Sequence, residues 1–231
     1  MINTPKIYKM RIVFRVEQNS QGALHIFDAV RNMVLASGLP FTPAKVNPRW
    51  PRLAYGPAPA QGQRTEREYL DIYLQKLCSA EEVRRALETT APQGIVLLEV
   101  RRVPYGLPSV QHLAAAVRYR LTGNLKRYGL TEREQTERDL HVVTLVQRAA
   151  NGLSMEKDLS AYIESVCWQG PEEVVLTIKC IQDTWLRPEL VLAAWAGIEV
   201  PAGQDEVDLP EITVVRQAVC WRDSAGVLHD L

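Results

Sequence analysis

The sequence is poor in the residues and spacings that catalysis usually demands. Its four cysteines, Cys78, Cys167, Cys180 and Cys220, lie far apart with no CxxC pair. That excludes the common zinc and disulfide motifs and predicts buried thiols acting as small hydrophobes. No CxxxCxxC run exists to ligate an iron–sulfur cluster, so no cofactor is expected in this chain. His25, His112, His141 and His229 show neither HxxxH nor HExxH spacing, the arrangements that bring imidazoles together on a metal. Walker A, GxGxxG and GxSxG are also missing, which removes the standard phosphate cradles and the nucleophile elbow. Catalysis by this chain alone is not what its residues predict.

An excess of one charge is lacking too, since 27 Lys and Arg face 27 Asp and Glu. Such a balance does not suit a coat for DNA or a membrane, although local basic patches stay open to it. No apolar run reaches the ~20 residues of a membrane helix. The opening residues lead straight into a strand instead of a signal peptide. A cytoplasmic protein is therefore expected, with neither membrane nor DNA as partner.

What the sequence does have is periodicity. Tyr8, Met10, Ile12, Phe14 and Val16 alternate along a half-buried strand. A helix is predicted over 23–37, ended by Gly38 and kept from resuming by Pro40. Arg52–Tyr55 reads as a short strand and Glu68–Gln75 as a stronger one. Ser79 with Glu82 forms a capping box for a helix through Leu87, and Pro92-Gln93-Gly94 turns the chain into a strand over 95–103. The order β-α-β-β-α-β is that of a ferredoxin-like unit.

Past a linker at Tyr105–Pro108, strands are expected over 115–121, 140–146, 159–168, 174–181 and 212–221. Asn151-Gly152 is a hairpin signal, Thr131 with Glu134 a second capping box, and Pro188 opens a helix that Gly197 ends. The expected fold is α+β, with tandem ferredoxin-like (βαββαβ) halves and antiparallel sheets. The first half covers 1–104 and the second, more irregular, covers 105–231.

The most distinctive stretch runs from Lys45 to Leu74. Its prolines stiffen an extended backbone. Lys45, Asn47, Arg49, Trp50, Arg52, Tyr55, Arg64 and Arg67 make it a candidate binding surface, with cations for phosphate or carboxylate and rings for stacking on a base. A solvated loop guarding an edge strand is the plainer reading of the same residues. Arg187 and Arg216 read as ion-pair partners or as contributors to a cleft between the halves. His25, at the first helix, is the one candidate proton-transfer group, a base for a ribose 2′-hydroxyl as in some tandem ferredoxin-like RNA-processing endonucleases. No glycine-rich loop near the C-terminus accompanies it.

A set of short segments carries a resemblance: Arg11-Ile12-Val13-Phe14, Gly38-Leu39-Pro40, Asn47-Pro48-Arg49, Arg52-Leu53-Ala54-Tyr55, Gly62, Glu68-Tyr69-Leu70-Asp71, Pro108-Ser109, Tyr119-Arg120, Lys157-Asp158-Leu159, Arg187-Pro188-Glu189 and Arg216. In their order and spacing the chain resembles the radical-SAM-linked family, a domain of unknown function often fused to or encoded beside a B12-binding radical SAM protein. That family usually shows Ser-His-x-Asp-x-x-Arg at the start of its first helix. Here Ala23, His25 and Asp28 stand at the His, Asp and Arg positions.

The resemblance implies a non-catalytic accessory or substrate-binding domain that presents RNA or a protein to a separate radical SAM protein. That partner would carry the iron–sulfur cluster, S-adenosylmethionine and cobalamin. The alternative is an RNA-binding protein or a metal-independent ribonuclease with His25 as general base.

Overall fold

A computed structural model describes residues 6–17, 26–60, 63–128, 130, 142–182, 184–204 and 207–231. Ala23, His25, His141 and the capping box expected at Thr131 and Glu134 lie outside the described residues. The protein is a mixed α/β structure in which strand outweighs helix. It divides into two compact units, Met1–Ala114 with Trp221–Leu231, and Ala115–Cys220.

The first unit contains β1 (Tyr8–Val16), α1 (Ile26–Ala36), β2 (Leu53–Tyr55), β3 (Arg64–Leu74), α2 (Ala80–Thr90), β4 (Ile95–Val103) and the short α3 (Val110–Leu113). Its strands run in the spatial order β4-β1-β3-β2, each antiparallel to its neighbours. Met10, Ile12 and Phe14 from β1 and Leu70, Ile72 and Leu74 from β3 share one face and meet the two helices there. α1 turns Val30, Met33 and Val34 inward, the i, i+3, i+4 stripe of an amphipathic helix. It ends where Gly38 takes φ +70°, a conformation that costs glycine little. The capping box of α2 forms as the spacing predicts. Glu82 N donates to Ser79 Oγ at 3.1 Å, and Ser79 N donates to the Glu82 carboxylate at 2.7 Å. The helix then buries Val83 and Leu87.

Alternation along β1 predicts one wet face, and here the structure differs. Lys9 and Arg11 are as buried as the apolar residues between them. The segment after β4 crosses that second face, and its backbone supplies the partners. Lys9 Nζ donates to the carbonyls of Leu107 and Pro108, and Arg11 Nη2 donates to Pro108 O at 3.4 Å.

In the second unit, β9 (Glu173–Ile181) lies between β5 (Ala114–Gly123) and β8 (Ile163–Gly170), antiparallel to both. A separate sheet has the order β11-β6-β7. There β6 (Thr144–Arg148) is antiparallel to β7 (Ser154–Asp158) and parallel to β11 (Val200–Pro201). The remaining elements are β10 (Thr184–Trp185), α4 (Pro188–Trp195) and β12 (Ile212–Arg222), and β13 (Leu228–Asp230), which belongs to the first unit, pairs with β12. Leu176, Ile178, Leu190, Val191 and Leu192 belong to the core of this unit.

Asn151-Gly152 does turn a hairpin, with Gly152 at φ +83° and its N–H bonded to Ala149 O at 2.9 Å. The returning strand is β7, fully exposed, and not the stretch from 159. Leu159 is instead a buried anchor for a 3₁₀ turn at Ser160–Tyr162. Among the described residues this unit has one α-helix, against three in the first. The thiols also depart from expectation. Cys220 is buried, but Cys167 is exposed, because in β8 the inward positions belong to Ile163 and Val166.

Gly123 takes φ +132°, and a Cβ there would stand 1.9 Å from Glu211 O. Gly123→Ala is expected to destabilise the protein by on the order of 3 kcal/mol, since neither backbone can yield cheaply. Urea unfolding checks this; a change under about 1 kcal/mol would mean the close approach is not there.

Candidate functional site

Residues 40–56 form an arch held to β3 by backbone hydrogen bonds. Thr42 N donates to Tyr73 O at 2.7 Å, Gln75 N to Pro40 O at 2.8 Å, and Gly56 N to Tyr69 O at 3.1 Å. The two limbs of the arch also pair with each other. Arg52 N donates to Thr42 O at 2.7 Å and Ala44 N to Trp50 O at 2.8 Å. At the bend, Trp50 N donates to Asn47 O at 2.9 Å, and the Asn47 side chain accepts from Arg49 N at 3.0 Å. Asn47 is thus engaged as a turn residue, in the local side-chain-to-backbone bonding typical of asparagine.

Beneath the arch is a 380 Å³ pocket. Its cations are Arg31, Lys45 and Arg52, its rings are Trp50 and Tyr55, and Pro51, Leu53 and Ala44 complete the lining. Among the described residues no carboxylate lines it. The Arg31 guanidinium stacks over the Trp50 ring at 4.3 Å and pairs with Asp28 at 2.5 Å. Trp50 itself is 41% exposed, so its ring is only partly covered. Tyr55 packs on Phe27 with ring centroids 4.3 Å apart, and its hydroxyl donates to Phe27 O at 3.1 Å. Burial pushes the Tyr55 phenol up to about 12, with Arg31 opposing and Asp28 assisting. At neutral pH it is an uncharged hydrogen-bonding ring.

Arg52 is also engaged by two tyrosines outside the pocket lining. Its guanidinium lies 4.1 Å from the Tyr73 ring and 5.9 Å from the Tyr105 ring, and its Nη1 donates to Tyr105 Oη at 3.4 Å. Next to this stack, Arg11 grips Asp71 with two bonds, Nε to Oδ1 at 2.8 Å and Nη2 to Oδ2 at 3.1 Å. The same carboxylate accepts from Val110 N at 3.0 Å. Burial lowers the Lys9 pKa, opposed by nearby Asp71, and burial raises that of Tyr73, helped by Asp71.

Of the candidates, Lys45, Trp50, Arg52 and Tyr55 come together in the pocket. Arg49 is exposed at the bend, and Arg64 and Arg67 are exposed on β3 outside the lining. Arg187 stands at the N-terminal boundary of α4 and Arg216 is buried in β12, both within the second unit. His25 lies outside the described residues. The sequence reading missed Arg31 and Tyr105. Arg31 sits one helical turn after Asp28, a spacing that signals an ion pair without indicating a pocket. Nothing local marks Tyr105. Among the described residues no group of three His, Cys, Asp or Glu side chains could hold a metal ion. No helix there is long and apolar enough to cross a membrane.

Two outcomes follow from this geometry. Asp71→Ala strands Arg11 and is expected to cost about 3–5 kcal/mol in chemical denaturation, as for other buried pairs broken on one side. The Tyr55 pKa is higher folded than unfolded, so its contribution to stability is complete below about pH 10 and fades as pH rises. A phenolate absorbance titration of the eight tyrosines should lose a late-ionising component in Tyr55→Phe; an unchanged curve would refute the burial.

No curated protein matches the chain. One family, described as an uncharacterized protein conserved in bacteria (DUF2344), matches residues 46–188. The matched stretch takes in the bend of the arch, Trp50, Arg52, Tyr55, β3 and α3. Because the match spans more than half of the chain, the protein belongs to this bacterial family.

Proposed function

We propose that this chain is a non-catalytic accessory domain that holds single-stranded RNA for a separate radical SAM protein in the cytoplasm. The observation that carries the binding role is the lining of the arch pocket: three cations, two rings and no carboxylate. Bases of any identity stack on such rings, and phosphates are drawn to such cations, so the combination suits a nucleic acid strand without demanding a sequence. Tandem ferredoxin-like halves are part of the proposal, supported in the first unit by the spatial order β4-β1-β3-β2 and both helices on one face. The radical SAM partner, with its cluster, S-adenosylmethionine and cobalamin, rests on the family resemblance of the sequence alone. The matched family's description is silent about it.

An acidic peptide is the competing occupant, since arginine also grips carboxylates. Aromatic stacking favours the nucleic acid. The test is fluorescence anisotropy with a labelled oligouridylate and a labelled poly-glutamate peptide. The oligonucleotide should bind with steep salt dependence, and Trp50→Ala or Lys45→Glu should each weaken it about tenfold. Preference for the peptide, or RNA binding indifferent to Trp50, would overturn the RNA reading. Anaerobic size-exclusion chromatography with a radical SAM protein of the same organism should give a complex; separate elution would count against the accessory role.

A further inference from the structure

A second cavity of 560 Å³ lies in the first unit where the start of β1 meets the end of β4. Lys6, Lys9 and Arg102 line it with the rings of Tyr8 and Tyr105, again without a carboxylate. Its make-up therefore repeats that of the arch pocket: three cations and two rings. A neighbouring 490 Å³ cavity shares Arg102 and adds Arg11 and Arg101, but it holds the Asp230 carboxylate and a single ring, Trp221, so it does not continue the pattern.

One side-chain contact links the linings of the two cavities. Arg52 lines the first, Tyr105 lines the second, and the Arg52 guanidinium donates to the Tyr105 hydroxyl at 3.4 Å. Tyr105 is 51% exposed, so the bridge between the cavities is open to a ligand. Lys9 is fixed at the cavity wall, 1% exposed and bonded to the Leu107 and Pro108 carbonyls. Its ammonium is turned to those carbonyls, which leaves Lys6 and Arg102 as the exposed cations of this cavity.

Resting on the RNA reading of the arch, we infer that the binding track continues over Arg52 and Tyr105 into this second cavity, so that the ligand is a strand of more than one nucleotide. A ligand that repeats base and phosphate is matched by a site that repeats ring and cation. A mononucleotide would fill one cavity and leave its twin empty.

Isothermal titration with uridine monophosphate and with an oligouridylate of about ten nucleotides tests this, a length within the range of single-strand sites. Lys6 and Arg102 are both exposed, so the K6E/R102E double variant is expected to fold. It should bind the oligonucleotide about tenfold more weakly, and the salt slope should shrink by about 0.7 for each phosphate that is no longer neutralised. Monophosphate binding at the arch, read as the Trp50-dependent signal, should not change. If the charge reversal disturbs the circular dichroism spectrum, K6Q/R102Q replaces it, with the same expectation at reduced size. Oligonucleotide affinity unchanged in the double variant but weakened by Trp50→Ala would overturn the extension and leave the arch reading standing. Failure of the native protein to bind either ligand would overturn both.

Discussion

The carboxylate of Asp71 sits at zero exposure in the middle of a strand, and much of the first unit is arranged to satisfy it. An isolated charge there would cost several kcal/mol. Arg11 offsets that cost with a two-pronged bond from the adjacent strand, the geometry at which guanidinium excels. Val110 N supplies a third bond, and it comes from a segment almost forty residues away in the chain. Lys9 and Arg11 also donate to the carbonyls of Leu107 and Pro108. Three buried charged side chains therefore fix the course of one crossing segment. That segment delivers Tyr105 to Arg52, so the walls of both cavities depend on an ion pair that touches neither ligand surface.

Where a feature rests on neighbours in the chain, it was legible in the sequence. The capping box at Ser79 and Glu82, the glycine stop at Gly38 and the turn at Asn151-Gly152 are all local, and each formed as its spacing demands. Features set by distant chain were not. Alternation in β1 marked Lys9 and Arg11 as solvent-facing because a period of two reports which residues share a face, never what covers it. β7 reads Ser-Met-Glu-Lys-Asp with every residue exposed, so no apolar pattern announces it. It is a strand because β6 offers it a ladder. Cys167 fell outside the core for a similar reason: a small apolar residue in a strand takes whichever face the register gives it.

The proposed binding surface was legible to the same degree. Lys45, Trp50, Arg52 and Tyr55 crowd within eleven residues, so even a bare composition shift exposes them. Arg31 reaches the pocket from α1, and Tyr105 reaches its edge from beyond β4. Neither placement has a signal in its own neighbourhood. Asn47 shows the converse failure, because its polarity serves the bend of the arch. Proximity in sequence nominates residues, but the hydrogen bonds decide which of them still have a free hand.

That distinction separates the roles of the cations in the arch. Arg31 is already paired with Asp28 and stacked on Trp50, so its charge is largely answered and its service is to hold the indole upright. Arg52 is stacked on one tyrosine ring and bonded to the hydroxyl of another. Neither contact neutralises it, because a ring face and a phenol hydroxyl attract a cation without cancelling its charge. Lys45 is exposed at the rim, where an ammonium on a flexible stem reaches an anion from several directions. Among the described residues no carboxylate lines either cavity, although Asp28 answers Arg31 from outside the first lining. The proposed anion recognition at this surface would therefore fall chiefly to Lys45 and Arg52, with the rings setting the orientation of whatever the anion is attached to.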